Sequence, residues 1–427
     1  MDFDMLGLAP RLTKALADQG ISEPTPIQAQ AIPHAMNGRD VMGLAQTGTG
    51  KTAAFGLPMI DALLKSQGKA APKTARGLIL APTRELAKQI ADNLTAYTEG
   101  THLKTVLVVG GAGITGQMRR LEKGCALLVA TPGRLIDLLD RGAVRLDETQ
   151  YLVLDEADQM LDMGFIHALR KIAPLLPADR QTMLFSATMP KQMSELADTY
   201  LSNPIRVQVS PPGKAADKIA QTVHFIAKAE KPDLLVELLE DHREERAIVF
   251  GRTKHGSEKL YRKLEKEGFA AASIHGNKSQ GQRDRALKAF KAGEVKVLVA
   301  TDVAARGLDI PEVKHIYNFD LPNVPENYVH RIGRTARAGA DGMAIAFCAP
   351  DEMGELRAIQ KAMKADIPVA SGRPWQVEEP QSKRGGGRRR GGPGGGNPGA
   401  AGNKASGGGG NRSGGAGRGR RRGARAA

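Results

Sequence analysis

The chain has 427 residues, a length that favours two or three domains over a single hydrophobic core. Hydrophobic residues make up 41% and charged residues 25%, which is typical of globular proteins and excludes a chain disordered throughout. The 61 Lys and Arg exceed the 46 Asp and Glu, but twelve of the basic residues lie in the acid-free segment 382–427. The net charge of +15 falls to +3 for residues 1–381, so attraction to polyanions is concentrated at the C-terminus.

The two cysteines, Cys125 and Cys348, lie far apart in apolar runs, with no CxxC pair or histidine cluster beside them. They are therefore predicted to be buried free thiols rather than a disulfide or a zinc site. The N-terminus lacks a signal-peptide pattern, and no apolar run approaches the length of a membrane span. A soluble, cytoplasmic protein without a membrane partner is expected.

Short apolar runs bounded by turn residues alternate with stretches of helical periodicity, after a helix predicted over residues 7–19. The predicted strands are residues 41–45, 77–81, 105–109, 126–130, 151–154 and 182–185 in the first half, and 223–226, 247–250, 271–274, 295–300, 316–319 and 343–347 in the second. Strands that are apolar on both faces and alternate with helices indicate parallel sheets. The expected fold class is α/β, with two tandem doubly wound domains.

Changes in composition divide the chain into four segments. Residues 210–218, which contain Pro, Gly and Lys, are predicted to link the two sheets, with a boundary near residue 212. After about residue 372 Gly and Arg dominate, and such a segment cannot bury enough apolar surface to fold. The predicted division is a lead-in at 1–30, a first domain at 31–211, a second domain at 212–372 and a disordered basic tail at 373–427.

Polar or Gly-rich clusters follow the six strands of the first half. They are residues 46–52, 82–86, 110–111, 131–134, 155–158 and 186–188. Ligands of open parallel sheets bind beyond the carboxyl ends of the strands, so these clusters are expected along one edge. Their common position predicts a ligand site more strongly than any single motif does.

The first cluster, Gln-Thr-Gly-Thr-Gly-Lys-Thr at 46–52, leads into a helix predicted at 52–64. Its glycines would let backbone amides face phosphate oxygens, Lys51 would supply charge at the β and γ phosphates, and Thr52 would offer a hydroxyl to Mg²⁺. Ala45 stands where the general phosphate-loop pattern has Gly. A Gly-rich strand-to-helix turn without a nucleotide is the alternative interpretation.

The sequence Asp-Glu-Ala-Asp at 155–158 directly follows a predicted strand. A carboxylate beside a phosphate loop is where proteins hold the Mg²⁺ of a nucleotide, so Asp155 is assigned to the metal and Glu156 to the attacking water. Capping of the next helix is the alternative interpretation. For Asp158, capping and a functional role are equally favoured.

Arg331, Arg334 and Arg337 recur every three residues in the second half, a spacing that predicts one face of a helix. The guanidinium group is always protonated and can bind two oxygens of a transferring phosphoryl group. The first half has a phosphate site but no arginine for it, so these residues are predicted to complete that site. A solvated face is the alternative.

Together these motifs resemble those of the DEAD-box RNA helicases, in the family's order and over about residues 1–370. The matching segments are 45–52, 82–87, 110–111, 131–134, 155–158, 186–188, 300–309 and 330–337, and residues 20–28 are similar to the adenine-reading Q motif. The resemblance implies two RecA-like domains, RNA-stimulated hydrolysis of ATP with Mg²⁺, and domain closure that separates short RNA duplexes locally. A glutamine amide that pairs with adenine would favour ATP over GTP.

The resemblance also implies roles for individual residues. It places ATP contacts at Phe3, Ile21, Gln28, Ala45, Gln46, Thr47, Gly48, Thr49, Gly50, Lys51, Thr52 and Asp309. It implies a catalytic set of Lys51, Asp155, Glu156, Arg334 and Arg337, Mg²⁺ near Thr52 and Asp155 largely through water, and coupling of hydrolysis to strand separation by Ser186, Thr188 and His330. RNA contacts are implied at Pro82, Thr83, Arg84, Gly111, Thr131, Arg134, Arg252, Gly276, Arg283 and Thr301. For Arg252 and Arg283 a solvated face is the alternative. Most of these groups suit phosphate and sugar, so sequence-independent binding is expected.

Within the family, the short lead-in and the basic Gly-rich tail are most similar to the bacterial RhlE-type branch. Ribosomal precursor particles or the RNA-decay machinery would fit such a protein as partners. The tail is expected to add salt-sensitive affinity for RNA, with a merely solubilising role as the alternative. Two other functions stay open: an ATP-latched RNA clamp without productive unwinding, and a DNA-directed translocase, against which the Q motif and Asp158 argue.

Overall fold

The computed structural model describes residues 2–46, 48–66, 68–209, 219–305, 313–335 and 342–376. These residues belong to one compact unit, Met1–Val377. Thr47, Asp309, Arg337, the predicted linker at 210–218 and the predicted tail from residue 377 onward lie outside the described residues.

The first sheet has seven parallel strands, and helices accompany it along the chain. Its strands are β1 (Val41–Leu44), β2 (Ala75–Leu80), β3 (Thr105–Val108), β4 (Cys125–Ala130), β5 (Tyr151–Leu154), β6 (Gln181–Ser186) and β7 (Ile205–Gln208). The helices are α1 (Pro10–Ala17), α2 (Pro26–Met36), α3 (Lys51–Lys65), α4 (Arg84–Tyr97), α5 (Ile114–Leu121), α6 (Pro132–Asp140), α7 (Ala157–Asp162), α8 (Ile166–Ile172) and α9 (Lys191–Tyr200), with 3₁₀ turns at Phe3–Leu6 and Ala173–Leu175.

The second sheet repeats this architecture with seven further parallel strands. They are β8 (Ile219–Phe225), β9 (Ala247–Gly251), β10 (Ala271–Ile274), β11 (Val297–Thr301), β12 (His315–Asn318), β13 (Gly342–Cys348) and β14 (Val369–Ser371). The helices are α10 (Lys231–Glu240), α11 (Lys254–Lys266), α12 (Gln280–Lys291), α13 (Asp302–Ala305), α14 (Pro325–Ile332) and α15 (Met353–Met363), with a 3₁₀ turn at Pro350–Glu352. The predicted α/β class with two tandem parallel-sheet domains is confirmed.

Successive residues of the strands enter two different apolar clusters, because side chains alternate between the faces of a sheet. In β6, Met183 and Phe185 pack into one cluster and Leu184 packs into the other. The second sheet is likewise divided between two clusters, with Ile248 in one and Val249 in the other. Burial on both faces explains the continuous apolar runs seen in the sequence.

The order of the strands sorts the motifs into two groups. The first sheet runs β3-β4-β2-β5-β6-β1-β7. The loops after β5, β6 and β1 are therefore neighbours, and they carry the acidic, Ser-Ala-Thr and phosphate-loop motifs. The loops after β3, β4 and β2 are also neighbours, and they carry the motifs expected to bind RNA. One edge of a single sheet thus holds two adjacent sites.

Two strands were not predicted from the sequence, and both lie at an edge of a sheet. Strand β7 pairs only with β1, and β14 pairs only with β8, among the described strands. Only Val207 of β7 is buried, and all three residues of β14 are exposed. Neither strand shows a continuous apolar run, because neither is covered on both faces.

Gly43 in β1 is required by the close approach of a neighbouring side chain. It lies opposite Phe185 of β6, and a Cβ atom at Gly43 would come within 2.5 Å of the Phe185 ring. Gly43→Ala is expected to destabilise the protein by about 1–3 kcal/mol, because the ring is fully buried and can move only by disturbing its neighbours. Denaturant unfolding would measure this, with exposed Gly354, where a Cβ meets nothing within 4 Å, as the control site. An unchanged midpoint for Gly43→Ala would contradict the packing described.

Both cysteines are buried free thiols, as predicted. Burial raises the pKa of Cys125 and of Cys348 to about 12, so both thiols are protonated and unreactive at neutral pH. None of the helices among the described residues combines the length and the apolar character needed to cross a membrane.

Candidate nucleotide and nucleic-acid site

The loop between β1 and α3 has the geometry of a phosphate-binding loop. Gly48 and Gly50 have φ angles of 82° and 86°, which glycine adopts without strain. The Thr49 hydroxyl donates to the Gln46 carbonyl at 2.8 Å, and Lys51 Nζ donates to the Ala45 carbonyl at 3.3 Å. The lysine therefore folds over its own loop at the N-terminus of α3, where backbone amides and the helix dipole favour an anion.

The segment resembling the Q motif is bonded to this loop. Thr25 and Gln28 form a capping box at the start of α2, in which the Gln28 amide oxygen accepts from the Thr25 backbone at 2.9 Å. The amide nitrogen of Gln28 donates to the Gly50 carbonyl at 2.9 Å, and the Thr25 hydroxyl donates to the Thr49 carbonyl at 2.8 Å. Both polar atoms of the Gln28 amide are thus engaged within the protein, and reading a base requires them to exchange partners.

Phe3 and Ile21, two of the other implied ATP contacts, belong to the apolar packing around α2. Phe3 is buried, and Ile21 packs against the same apolar cluster that contains Phe3 and Ile27 of α2. These residues hold α2 against the sheet, which positions Gln28 beside the phosphate loop.

Asp155 and Glu156 lie beside the lysine, and each is only 2% exposed. Asp155 Oδ1 lies 3.8 Å from Lys51 Nζ and accepts a hydrogen bond from the Glu156 backbone at 3.0 Å. Burial raises the pKa of Glu156 to about 7 and also raises the pKa of Asp155, while the charge of Lys51 acts in the opposite direction on both. Glu156 Oε2 is buried and has no hydrogen-bond partner among the described residues.

The backbone of Glu156 is strained, with φ 51° and ψ 51° at the N-cap of α7. This left-handed conformation is uncommon for residues other than glycine, and such outliers are concentrated at functional sites. Among the groups that lower the pKa of Glu156, the charge of Lys51 has the largest effect.

Arg334 of the second sheet acts on Glu156. Its side chain is 3% exposed, its Nε donates to the His330 carbonyl at 3.2 Å, and its positive charge acts to lower the pKa of Glu156. Arg334 of the second sheet and Glu156 of the first therefore interact electrostatically.

Arg331 has a different role, and the expectation of one helical face for Arg331 and Arg334 is wrong. Helix α14 ends at Ile332, so Arg334 lies in the turn beyond it. The Arg331 guanidinium makes a bidentate ion pair with Asp302, at 2.5 and 2.7 Å, and lies 5.0 Å from the centroid of the Phe250 ring. Arg331 is therefore a buried structural residue that ties α14 to the end of β11.

Asp158 joins the acidic loop to the Ser-Ala-Thr loop. Its Oδ2 accepts from the Ala187 amide at 3.0 Å and from the amide and hydroxyl of Thr188 at 2.9 and 3.0 Å. The Ser186 hydroxyl donates to the Thr188 carbonyl at 2.7 Å. The sequence favoured helix capping and a functional role equally for Asp158. In the structure its carboxylate connects the acidic loop to the Ser-Ala-Thr loop. Asp158, Gln46, Thr188 and His330 all line one cavity of about 500 Å³.

A second cavity, of about 440 Å³, lies beside the other group of strand ends. Of the implied RNA contacts, it is lined by Pro82, Thr83, Arg84, Thr131 and Arg134 from the first sheet and by Gly276 and Arg283 from the second. Gly111, Arg252 and Thr301 do not line it. Gly111 has a φ angle of 76°, and a Cβ atom there would lie 2.0 Å from the Arg84 guanidinium, so a glycine is needed for the arginine to lie over this loop.

An ion pair crosses this second cavity between the two sheets. Arg283 lies 3.0 Å from Glu85 Oε1, and Gln280 donates to the same oxygen at 3.2 Å. Arg84 in turn donates to the Gln280 side chain at 3.3 Å. The sequence singled out Arg84 and Arg283 but gave no role to Glu85, because a carboxylate has no obvious place in a site for phosphates.

Arg252 is held away from this cavity. Its guanidinium donates to the Leu321 carbonyl at 2.9 Å and to Glu352 at 3.2 Å, and lies 3.7 Å from Glu355. Thr301 is the last residue of β11 and is 9% exposed. These two residues lie near strand ends of the second sheet without sharing the lining of the cavity.

Models of known protein families match the sequence of both domains. Residues 25–196 match the model described as DEAD/DEAH box helicase, and residues 230–339 match the helicase conserved C-terminal domain. The tandem sheets with their paired sites are thus those of a two-domain, nucleotide-dependent helicase.

Curated relatives refine this class. The ATP-dependent RNA helicase CshA of Listeria monocytogenes is 44% identical over 373 residues, which cover 87% of this chain and 71% of the relative. The DEAD-box ATP-dependent RNA helicase CshA of Geobacillus kaustophilus is 44% identical over 362 residues, covering 85% of this chain and 76% of the relative. The chain belongs to the DEAD-box family of ATP-dependent RNA helicases.

Solved structures agree in fold. Dbp5 of S. cerevisiae, bound to RNA and ADP BeF3, has a TM-score of 0.75 and 34% identity, and the match covers 86% of this chain and 94% of that one. Mss116p, bound to ssRNA and AMP-PNP, has a TM-score of 0.78 and 29% identity, with 87% and 79% covered. The predicted pair of RecA-like domains is confirmed.

Proposed function

We propose that this helicase hydrolyses ATP only when two half-sites come together, with Lys51, Thr52, Asp155 and Glu156 from the first domain and Arg334 with Arg337 from the second. The observation that carries the proposal is the electrostatic interaction between Arg334 and the buried Glu156 across the two sheets. Each half lacks what the other supplies: the first has the phosphate loop and the second has the arginine that stabilises charge on the transferring phosphoryl group.

In this site Lys51 would neutralise the β and γ phosphates, and Glu156 would accept the proton of the attacking water. The residues present fit a Mg²⁺ ion, because two buried carboxylates face a single lysine and Glu156 Oε2 has no partner among the described residues. The Thr52 hydroxyl and Asp155 would hold the ion, largely through water. When bound, Mg²⁺ supplies charge stabilisation for the phosphates.

The cavity crossed by Glu85 and Arg283 is the proposed path of single-stranded RNA. It is bordered by hydroxyls, backbone and guanidiniums of both domains, which suit phosphate and sugar without reading bases. Similar proteins were solved with RNA bound, including Dbp5. Because ATP and RNA would both bridge the two domains, each favours the closed state and assists the binding of the other. Closure would separate a short duplex locally rather than by processive travel.

Steady-state ATP hydrolysis tests this function when measured without nucleic acid, with single-stranded RNA and with DNA of the same sequence. Stimulation by RNA alone is expected. Equal stimulation by DNA would favour a DNA-directed translocase and contradict the proposal. RNA stimulation without strand separation of a short duplex would favour the ATP-latched RNA clamp instead.

Arg283→Gln is expected to raise the RNA concentration for half-maximal stimulation of ATPase by about 10-fold, because a charged hydrogen bond to a phosphate contributes about 1.5–3 kcal/mol. Hydrolysis without RNA should change little. Exposed Arg285, on the same helix, provides the matched control as Arg285→Gln. Glu85→Gln should not reproduce the loss, since it removes the competing carboxylate and leaves the guanidinium available. Equal RNA dependence in Arg283→Gln and wild type would contradict the proposed RNA path.

Residues after 381 are proposed to add nonspecific affinity for RNA, on the strength of their twelve basic residues and lack of acids. A chain ending at residue 381 is expected to bind RNA more weakly and with a smaller slope of log affinity against log salt. Fluorescence anisotropy over a salt series measures both quantities. An unchanged slope would indicate that the segment serves only solubility.

The proposed division of the chain is a lead-in at 1–30, domains at 31–211 and 212–372, and a basic tail at 373–427. Assignment to the RhlE-type branch, with ribosomal precursor particles or the RNA-decay machinery as cytoplasmic partners, is a further proposal that rests on the sequence pattern alone. Crosslinking of RNA in cells and sequencing of the captured species would distinguish ribosomal precursors from messenger RNA.

A further inference from the structure

Two imidazoles and a carboxylate meet at the edge of the second sheet that faces away from the nucleotide and RNA motifs. His315 is the first residue of β12, and His242 and Glu245 lie in the turn between α10 and β9. All strands of this sheet are parallel, and the motifs follow their carboxyl ends, so a group at the amino end of β12 lies on the opposite edge. The proposed helicase mechanism gives this cluster no role.

The three side chains converge on one carboxylate oxygen. His315 Nε2 is hydrogen-bonded to Glu245 Oε2 at 2.5 Å, and His242 Nδ1 lies 3.7 Å from the same oxygen. The two rings are stacked, with centroids 4.1 Å apart and planes inclined by 22°. One nitrogen of each ring and one carboxylate oxygen lie within 4.8 Å of one another.

These separations are close to those around a single metal ion. Two ligand atoms that each bind Zn²⁺ at about 2.0–2.2 Å are separated by roughly 3–4 Å. Side-chain movement of about 1 Å would close the difference. His242 and Glu245 can make this movement because their side chains are 33% and 32% exposed, while His315 is fixed by burial at 5%.

The contacts of the Glu245 carboxylate also suit a cation. Lys314 binds the other carboxylate oxygen of Glu245, which leaves Oε2 to the two imidazoles. The carboxylate is thus held by one cation on Oε1, and its Oε2 faces both imidazoles, where a metal ion would bind.

We propose that His242, Glu245 and His315 form a binding site for a transition-metal ion of the Zn²⁺ class. The ion takes the place of the hydrogen between His315 Nε2 and Glu245 Oε2. A neutral His315 then carries its ring proton on Nδ1, and a protonated His315 releases its second proton to solvent. Nitrogen and oxygen ligands in this combination suit Zn²⁺, Co²⁺ or Ni²⁺ rather than Mg²⁺ or Ca²⁺. The bound ion would fasten the turn after α10 to β12 and so stabilise the second domain.

The affinity is expected to be moderate. His315 Nδ1 is buried and has no hydrogen-bond partner among the described residues, whereas the second nitrogen of a metal-binding histidine is normally held by a carboxylate or carbonyl. Loss of such a partner weakens metal binding by about 10- to 100-fold, so the site should saturate and still release its ion to a strong chelator.

The test uses the full chain, stripped with a chelator and titrated with Co²⁺ while visible absorption is recorded, followed by displacement with Zn²⁺. His242→Gln and Glu245→Gln are the informative variants, because both residues are partly exposed and their replacement should leave the fold intact. His255→Gln is the matched control, since His255 is an exposed histidine of the same domain. Circular dichroism of the metal-free proteins verifies folding.

Wild type and His255→Gln are expected to bind one equivalent, with an absorption band typical of low coordination number and a rise in melting temperature on addition of Zn²⁺. His242→Gln and Glu245→Gln should bind at least about 10-fold more weakly and show no such rise. Equal binding by all four proteins would mean adventitious binding elsewhere. Absence of saturable binding to wild type would mean that the cluster is only a hydrogen-bonded group, and either result would overturn the proposal.

Discussion

Glu156→Gln is expected to lower kcat for ATP hydrolysis by about 10²–10⁴-fold, because it removes the group proposed to accept the proton of the attacking water. ATP binding should persist, since Lys51 and the phosphate loop are untouched and the amide keeps the shape of the carboxyl group. Steady-state ATPase and equilibrium binding of a labelled nucleotide measure the two effects. Glu195→Gln, at an exposed carboxylate of the same domain, is the control. Normal turnover in Glu156→Gln would refute the assignment of the water-activating residue.

The same substitution should raise stability at high pH. Burial raises the pKa of Glu156 from 4.5 to about 7, so the folded state binds the proton more tightly than the unfolded state. The stability that comes from this proton is fully present below pH 4.5 and is lost as the pH rises to about 7. At pH 8 Glu156→Gln should therefore be more stable than wild type by on the order of 1–3 kcal/mol, and at pH 4.5 the difference should be small.

The pH dependence of catalysis gives an independent check. A base must be deprotonated to accept a proton, and kcat/KM reports the free enzyme. With the pKa of Glu156 raised to about 7, kcat/KM for ATP is expected to fall as the pH decreases below about 7. A profile that stays flat down to pH 5 would show that another group activates the water.

Arg334→Ala is expected to lower kcat by about 10³–10⁵-fold while changing ATP affinity little, because an arginine of this kind acts on charge that develops in the transition state. Arg334→Lys should not restore the rate, since the ammonium group cannot bind two phosphoryl oxygens. Single-turnover hydrolysis with saturating RNA separates the chemical step from product release. A kcat within about threefold of wild type would exclude Arg334 from the site.

Arg334 is nearly buried, so a fold defect must be distinguished from a catalytic one. Melting temperature and RNA binding of Arg334→Ala provide that distinction, and both should be close to wild type. Arg357→Gln, at an exposed arginine of α15, controls for loss of a positive charge in the second domain. Substitution of Arg331 should behave in the opposite way, with lost stability, because its guanidinium is paired with Asp302 in the interior.

The sequence predicted those parts of the fold that are buried on both sides. Continuous apolar runs located twelve of the strands, and the position of polar clusters after them located the edge where the sites lie. Strands β7 and β14 were missed because an edge strand needs little apolar sequence. The N-terminal helix was also predicted too long: α1 spans Pro10–Ala17, and Phe3–Leu6 forms a separate 3₁₀ turn closed by Gly7 at φ 75°.

The roles of some site residues could not be predicted because they depend on partners distant in sequence. Arg331 and Arg334 belong to one regularly spaced series, so the sequence does not distinguish their roles. In the structure Arg331 is paired with Asp302, and Arg334 acts on Glu156. From the sequence alone Asp158 could be a helix cap, whereas in the structure it binds the loop after β6, which is distant in sequence. The carboxylate of Glu85 becomes meaningful only once α12 of the second domain supplies Arg283 and Gln280.

The bonds of the Gln28 amide have a consequence for how the protein would distinguish nucleotides. The two amide atoms of Gln28 that would pair with adenine are hydrogen-bonded within the protein. The oxygen accepts from the Thr25 backbone amide, and the nitrogen donates to the Gly50 carbonyl. A base that offers one donor and one acceptor in the right order can replace both partners at once. This breaks the bond from Gln28 to the phosphate loop and leaves the bond from Thr25 to Thr49. Guanine presents two acceptors, O6 and N7, on the corresponding edge, so it cannot donate to the Gln28 oxygen, and we expect the bonds of Gln28 within the protein to persist. Recognition of the base would then also loosen the attachment of the phosphate loop to α2.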